Sequence, residues 1–167
     1  MRRLLREIII SLLCGIMVAA VVILTAVACL AQEVPGIEEP CGYTAEELEE
    51  VLKGELKQYA QAFIHAEEDY GINACFLAAV ASLESGNGKF MFRKNNIFGF
   101  GKAEFDSVPS CIDYVSWYLR KHYLNPEGKY YRGGTIGDIG RIWCPDDGTW
   151  VRLVTGIFYK MNNGGIS

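Results

Sequence analysis

The stretch INACFLAAVASLESGNGKF, Ile72–Phe90, decides how this chain folds. Asn73 is a good helix N-cap, and Ala74 to Glu84 follows with almost no polar side chain. A helix apolar on every side has to be buried on most sides. Gly86 and Gly88 then stop it. Glu84 is the exception in this run. It is an acid at the end of a core helix, with an apolar wall behind it and a Gly-rich turn in front. Negative charge is disfavoured at a helix C-terminus and against apolar surroundings, so the site suits a carboxyl that holds a proton and gives it up.

Other elements extend on both sides. Thr44 with Glu47 forms a capping box, and Leu48, Val51, Leu52, Leu56, Tyr59, Phe63 and Ile64 follow at helical spacing, with Gly54 as a point of bending. Lys89 to Asp106 has little periodicity and reads as loop with room for a short strand. Val108 to Tyr123 is a third helix, opened by Ser107 and Pro109. Asn125–Gly128 is a turn, Thr135 with Asp138 starts a short helix to Ile142, and Thr149 is expected to cap the last helix.

The N-terminus has a different character. Arg2, Arg3 and Arg6 precede Ile8–Ala31, 24 residues without a charge. At about 1.5 Å per residue that run can cross a hydrocarbon layer of roughly 30 Å. The basic flank, residues 1–7, is expected in the cytoplasm, with 8–31 as a transmembrane anchor or uncleaved signal. Residues 32–43, with Pro35, Gly36 and Pro40, read as a linker, and 44–167 as one domain. The expected location is a bacterial cell membrane, single-pass, with that domain outside. Ala26-Val27-Ala28 also fits a signal-peptidase site, which would release the domain. Cys29 as a lipidation site ranks last, because Ala26 stands where a larger aliphatic residue is preferred.

Charge excludes some partners. After residue 31 there are 13 Lys+Arg against 19 Asp+Glu, a net of −6, most of it in Glu33–Glu55. From Leu56 on the net is +1, with no basic stripe, so no nucleic-acid partner is expected. Cys41, Cys75, Cys111 and Cys144 would lie in an oxidising compartment, where three pairings are open. The cysteines show no CxxC pair, and His65 and His122 have no ligand spacing. Neither a metal nor another cofactor is expected.

Six strings stand in a telling order: LAAVASLESGNG, KNNIFGF, FDSVPSCIDYVSWYL, NPEGKYY, IGRIWCP and TWVRLV. Together they resemble the glucosaminidase family of peptidoglycan hydrolases (mannosyl-glycoprotein endo-beta-N-acetylglucosaminidase-like domain), over roughly Tyr59 to Met161. The resemblance implies a mainly α, lysozyme-like fold and cleavage of the β-1,4 bond after N-acetylglucosamine. Its glycan-strand substrate would be peptidoglycan, with Glu84 as the general acid.

Asn95, Asn96 and Phe98 match the family's NN-FG block. Each has two readings: the amides as sugar ligands or turn formers, Phe98 as cleft floor or core. Tyr130 and Tyr131 are candidates for a sugar groove, with one of the two expected to pack inward. Trp143 stands where the family usually has Tyr, and Asn87 where it usually has Trp.

Longer members carry a β-hairpin lobe with a second acid between NN-FG and the next block. Only Phe100 to Glu104 separate Gly99 from Phe105 here, so the hairpin is vestigial or absent. Glu104 in that gap and Asp106 just after it are the only acids there, and Asp106 also reads as a helix-start residue. A single carboxylate is compatible with attack by the substrate's own N-acetyl oxygen, with lytic transglycosylation, or with an inactive glycan-binding domain. Oligomeric state cannot be read from the chain.

Overall fold

The computed structural model describes residue 17 and residues 36–145 and 148–164. The basic flank and, apart from Met17, the expected membrane segment lie outside the described residues. No helix among those described is long and apolar enough to cross a membrane.

The architecture is mainly α, with no strand among the described residues. The elements are α1 (Ala45–Val51), a 3-10 helix (Gly54–Tyr59), α2 (Ala60–Tyr70), α3 (Ala74–Ser85), α4 (Val108–Leu119), α5 (Ile136–Trp143) and α6 (Thr149–Asn162). A π-helical turn, Arg120–Leu124, extends α4.

The buried helix α3 is the axis of the fold. Every side chain from Ala74 to Ser82 is buried. The small alanines let neighbours approach, while Phe76 meets Phe158 of α6 edge-to-face, with ring centroids 6.3 Å apart. Phe63 from α2 and Ile112 from α4 complete the packing, and both are fully buried. Each such side chain contributes roughly 1.5–3 kcal/mol relative to exposure. Asn73 caps α3 as the sequence predicts: its Oδ1 accepts from the Phe76 amide at 3.2 Å.

Three expectations need adjustment. The helix expected from Thr44 onward has its capping box, with Glu47 N–H donating to Thr44 Oγ1 at 3.2 Å and Thr44 N–H to Glu47 Oε2 at 2.8 Å. It does not run through to Ile64. Leu52 turns extended, and the Glu55 amide leaves the helical ladder to donate to the Asn87 carbonyl at 2.9 Å. That contact ties the first helices to the turn beyond α3. Thr149 is the first residue of α6, and Gly148 takes the cap position. Part of the expected linker belongs to the domain. Ile37 is buried, its carbonyl accepts from Asn73 N–H at 2.8 Å, and the Glu39 carbonyl accepts from Asn73 Nδ2 at 2.8 Å.

Arg120 opens the wider turn that follows α4. Its guanidinium donates to the Tyr70 carbonyl at 2.6 Å and to the Gly71 carbonyl, covering the open end of α2, and pairs with Glu38 at 2.6 Å.

The crossing of α5 and α6 rests on Gly140. A Cβ there would lie 2.4 Å from Val151 Cγ2 and 3.0 Å from the Trp150 ring. Gly140→Ala should therefore destabilise the domain by about 1–3 kcal/mol through overpacking, read as a Tm several degrees lower. An unchanged Tm would mean that the two helices separate freely.

Candidate active site

Glu84 is the penultimate residue of α3, half-buried, and followed by a turn with little freedom. Gly86 terminates the helix in the left-handed region. Ser85 Oγ donates to the Ala81 carbonyl at 2.6 Å and accepts from Gly88 N–H at 2.8 Å. Asn87 also sits at positive φ (63°), where Asn is tolerated far better than a bulky aromatic, and its side-chain oxygen accepts from Ser82 Oγ. Asn87 here is a turn residue and does not line the cavity beside Glu84.

Two indoles hold the carboxyl of Glu84. Trp150 Nε1 donates to Oε1 at 2.8 Å, and Trp143 Nε1 donates to the same oxygen at 3.3 Å. An indole N–H can only donate, so Oε1 is the acceptor whether the group is charged or neutral. In a neutral carboxyl so held, the hydrogen is carried by Oε2.

That second oxygen lies beside Gly99, 3.0 Å from where a Cβ would stand. Glu84, Asn96 and Gly99, together with Phe90, Phe92 and Arg93, line a cavity of about 130 Å³. Phe90 and Phe92 are largely exposed, at 67% and 93%. Apolar rings left in water at the mouth of a cavity offer faces for a pyranose. Glu84 is the single carboxylate among the described residues lining it.

Gly99 is the residue that leaves Oε2 accessible. It combines positive φ (59°) with this close approach. Gly99→Ala should push the carboxyl off its position, and a reaction that used Oε2 would slow about tenfold, since sub-ångström misplacement of a reacting group is costly. A Gly99→Ala variant with undiminished activity would argue against a reacting role for Oε2.

The other residues singled out from the sequence divide clearly. Asn96 is buried. Its Oδ1 accepts from Phe100 N–H at 2.9 Å, and its Nδ2 donates to the carbonyls of Ala103 and Phe100 at 2.9 and 3.2 Å. Asn95 takes positive φ (55°) and donates to the Phe105 carbonyl at 2.9 Å. Both amides therefore brace the loop that presents Gly99, and Phe98 is fully buried in the core. Trp143 reaches the carboxyl directly. Glu104 and Asp106 are exposed and do not line the cavity.

Tyr130 and Tyr131 diverge. The Tyr130 ring packs 5.1 Å from Tyr123, which in turn lies 6.0 Å from Trp143, so Tyr130 joins an aromatic belt leading from the site. Burial in that belt pushes the Tyr123 phenol up to about 12. Tyr131 lies apart, lining a groove with Trp117, Leu124 and Pro126.

Trp150 is the site residue that sequence reading misses. It belongs to the TWVRLV string, but nothing local ties it to an acid 66 positions away. Its one signal is chemical: an indole in an apolar helix stripe needs a buried acceptor.

No family model matches the chain. Two curated proteins of Streptococcus pneumoniae are similar to it, one from strain TIGR4 and one from strain R6. Each is named "Putative endo-beta-N-acetylglucosaminidase", and each is 27% identical over 143 residues. The match covers 75% of this chain, and the chain spans about a fifth of the length of these relatives, 21% and 20%.

Proposed function

We propose that the chain is a glycan-strand hydrolase of the endo-β-N-acetylglucosaminidase type, acting on peptidoglycan, with Glu84 as general acid. The observation that carries the reading is the carboxyl of Glu84. One oxygen is fixed by two indole donors and the other lies on the wall of a cavity flanked by exposed aromatic rings. The relatives' names support the same chemistry at the level of a glycosidase.

A glycosidic oxygen leaves poorly until it is protonated. A positioned acid contributes about 10²–10⁴-fold. Oε2 donates its proton to that oxygen as the C1–O bond breaks, and Oε1 keeps its two N–H contacts throughout. These donors require no rearrangement as charge develops on the carboxylate.

Two-carboxylate glycosidases hold their acids about 5–10 Å apart. With Glu84 alone at the cavity among the described residues, the nucleophile is assigned to the N-acetyl oxygen of the substrate. It attacks C1 and forms a cyclic intermediate. Glu84, now ionised, takes a proton from water, and the resulting hydroxide opens the ring.

The uncharged run 8–31 behind three arginines supports placement at a bacterial membrane with the domain on the outer side. Incubation of the full chain, in detergent, with purified peptidoglycan tests the activity. New reducing N-acetylglucosamine ends are expected. Anhydro-muramyl ends would instead identify a lytic transglycosylase, and intact glycan with retained binding would identify a non-catalytic domain.

A further inference from the structure

We propose that Cys41 and Cys75 form a disulfide that fastens residues 37–41 to the start of α3. Both cysteines are free thiols, and each bears on the other's acidity. Glu67 of α2 sets up their proximity. Its Oε2 accepts from Cys41 N–H at 2.9 Å and from Ala74 N–H at 2.7 Å, so both backbones converge on one oxygen. Its Oε1 accepts from Cys41 Sγ at 3.7 Å. Asn73 holds the same arm through the Ile37 and Glu39 carbonyls. The arm and helix are thus preset side by side, which a disulfide requires, because its Cα atoms must lie within about 7 Å.

The two thiols have different roles in forming the bond. Cys41 is half-buried and reachable, and Cys75 is fully buried. The neighbouring Cys75 thiol holds Cys41 below its ordinary range, whereas Cys41 and burial push Cys75 up. Cys41 is therefore the thiolate that attacks first. It loses its proton to water and attacks an external disulfide such as oxidised glutathione. This forms a mixed disulfide and releases one glutathione thiolate, which takes up a proton. Cys75 then attacks the Cys41 sulfur and expels the second glutathione. The balance is two protein thiols and one oxidised glutathione giving one protein disulfide and two reduced glutathiones.

Cys111 is fully buried on α4, and burial pushes its thiol up to about 11. The closed loop would contain α1, the 3-10 helix and α2. The linkage would therefore restrain the part of the chain that joins the domain to whatever precedes it.

The full chain, in detergent, is equilibrated with a glutathione redox buffer, alkylated in denaturant, digested and read by mass spectrometry. The expected result is a Cys41 peptide joined to a Cys75 peptide and lighter by two hydrogens, with Cys111 and Cys144 alkylated. A second measurement follows Tm. Dithiothreitol should lower it in the wild type and leave Cys41→Ser unmoved. Alkylation of both Cys41 and Cys75, or a link from either to another cysteine, would overturn the proposal. A dithiothreitol effect of equal size in Cys41→Ser would do the same.

Discussion

Glu84→Gln should lower glycan cleavage by about 10²–10⁴-fold while leaving the domain folded, the full contribution expected of a positioned general acid. The substitution is nearly isosteric. The amide oxygen of Gln can accept from both Trp150 and Trp143 at the position of Oε1, and its NH₂ then occupies the place of Oε2. An amide cannot protonate a leaving oxygen, so chemistry is lost while packing is kept. Tm should stay within a degree or two, and glycan binding should persist. A Gln variant that cuts at more than a tenth of the wild-type rate would remove Glu84 from the mechanism.

Trp150→Phe should lower kcat by roughly 10–100-fold. The change deletes the 2.8 Å donor to Oε1 and leaves only the 3.3 Å contact from Trp143. A hydrogen bond to a charged acceptor is worth about 1.5–3 kcal/mol, which converts to that range of rate. Trp150 is 4% exposed, so water cannot easily replace the lost donor. Its role is to position Glu84, and the test must separate positioning from folding. KM should change little. In a Glu84→Gln background, Trp150→Phe should have no further effect on the residual rate. Equal rate losses in both backgrounds would show that Trp150 acts only through general stability.

Features set by local chemistry were legible in the sequence. α3 could be placed because Asn73 caps it, Gly86 ends it and its interior is apolar on every side. The capping boxes at Thr44 and Thr135 mark helix starts for the same reason. Glu84 stood out because an acid at the end of a core helix conflicts with its surroundings unless it has a task.

Features set by distant partners were not legible. The first helix stops at Leu52 because Glu55 is claimed by Asn87, a contact that no periodicity reports. Trp143 was legible as an aromatic near the acid, but what meets Glu84 is its N–H rather than its ring face. Asn95 and Asn96 had two readings, and only the carbonyls of Phe100, Ala103 and Phe105 decide what those side chains bond. The cysteine pairing was open by counting alone. Convergence on Glu67 narrows it, because one carboxylate reaches Cys41 and the start of the helix that carries Cys75.

The most direct test of the central claim is digestion of purified peptidoglycan in ¹⁸O-water by the wild type and by Glu84→Gln, with products resolved by mass spectrometry. Wild type should release fragments ending in reducing N-acetylglucosamine that carry one ¹⁸O, and Glu84→Gln should release almost none. Unlabelled anhydro-muramyl fragments, or equal yields of labelled fragments from both proteins, would contradict a hydrolase that works through Glu84.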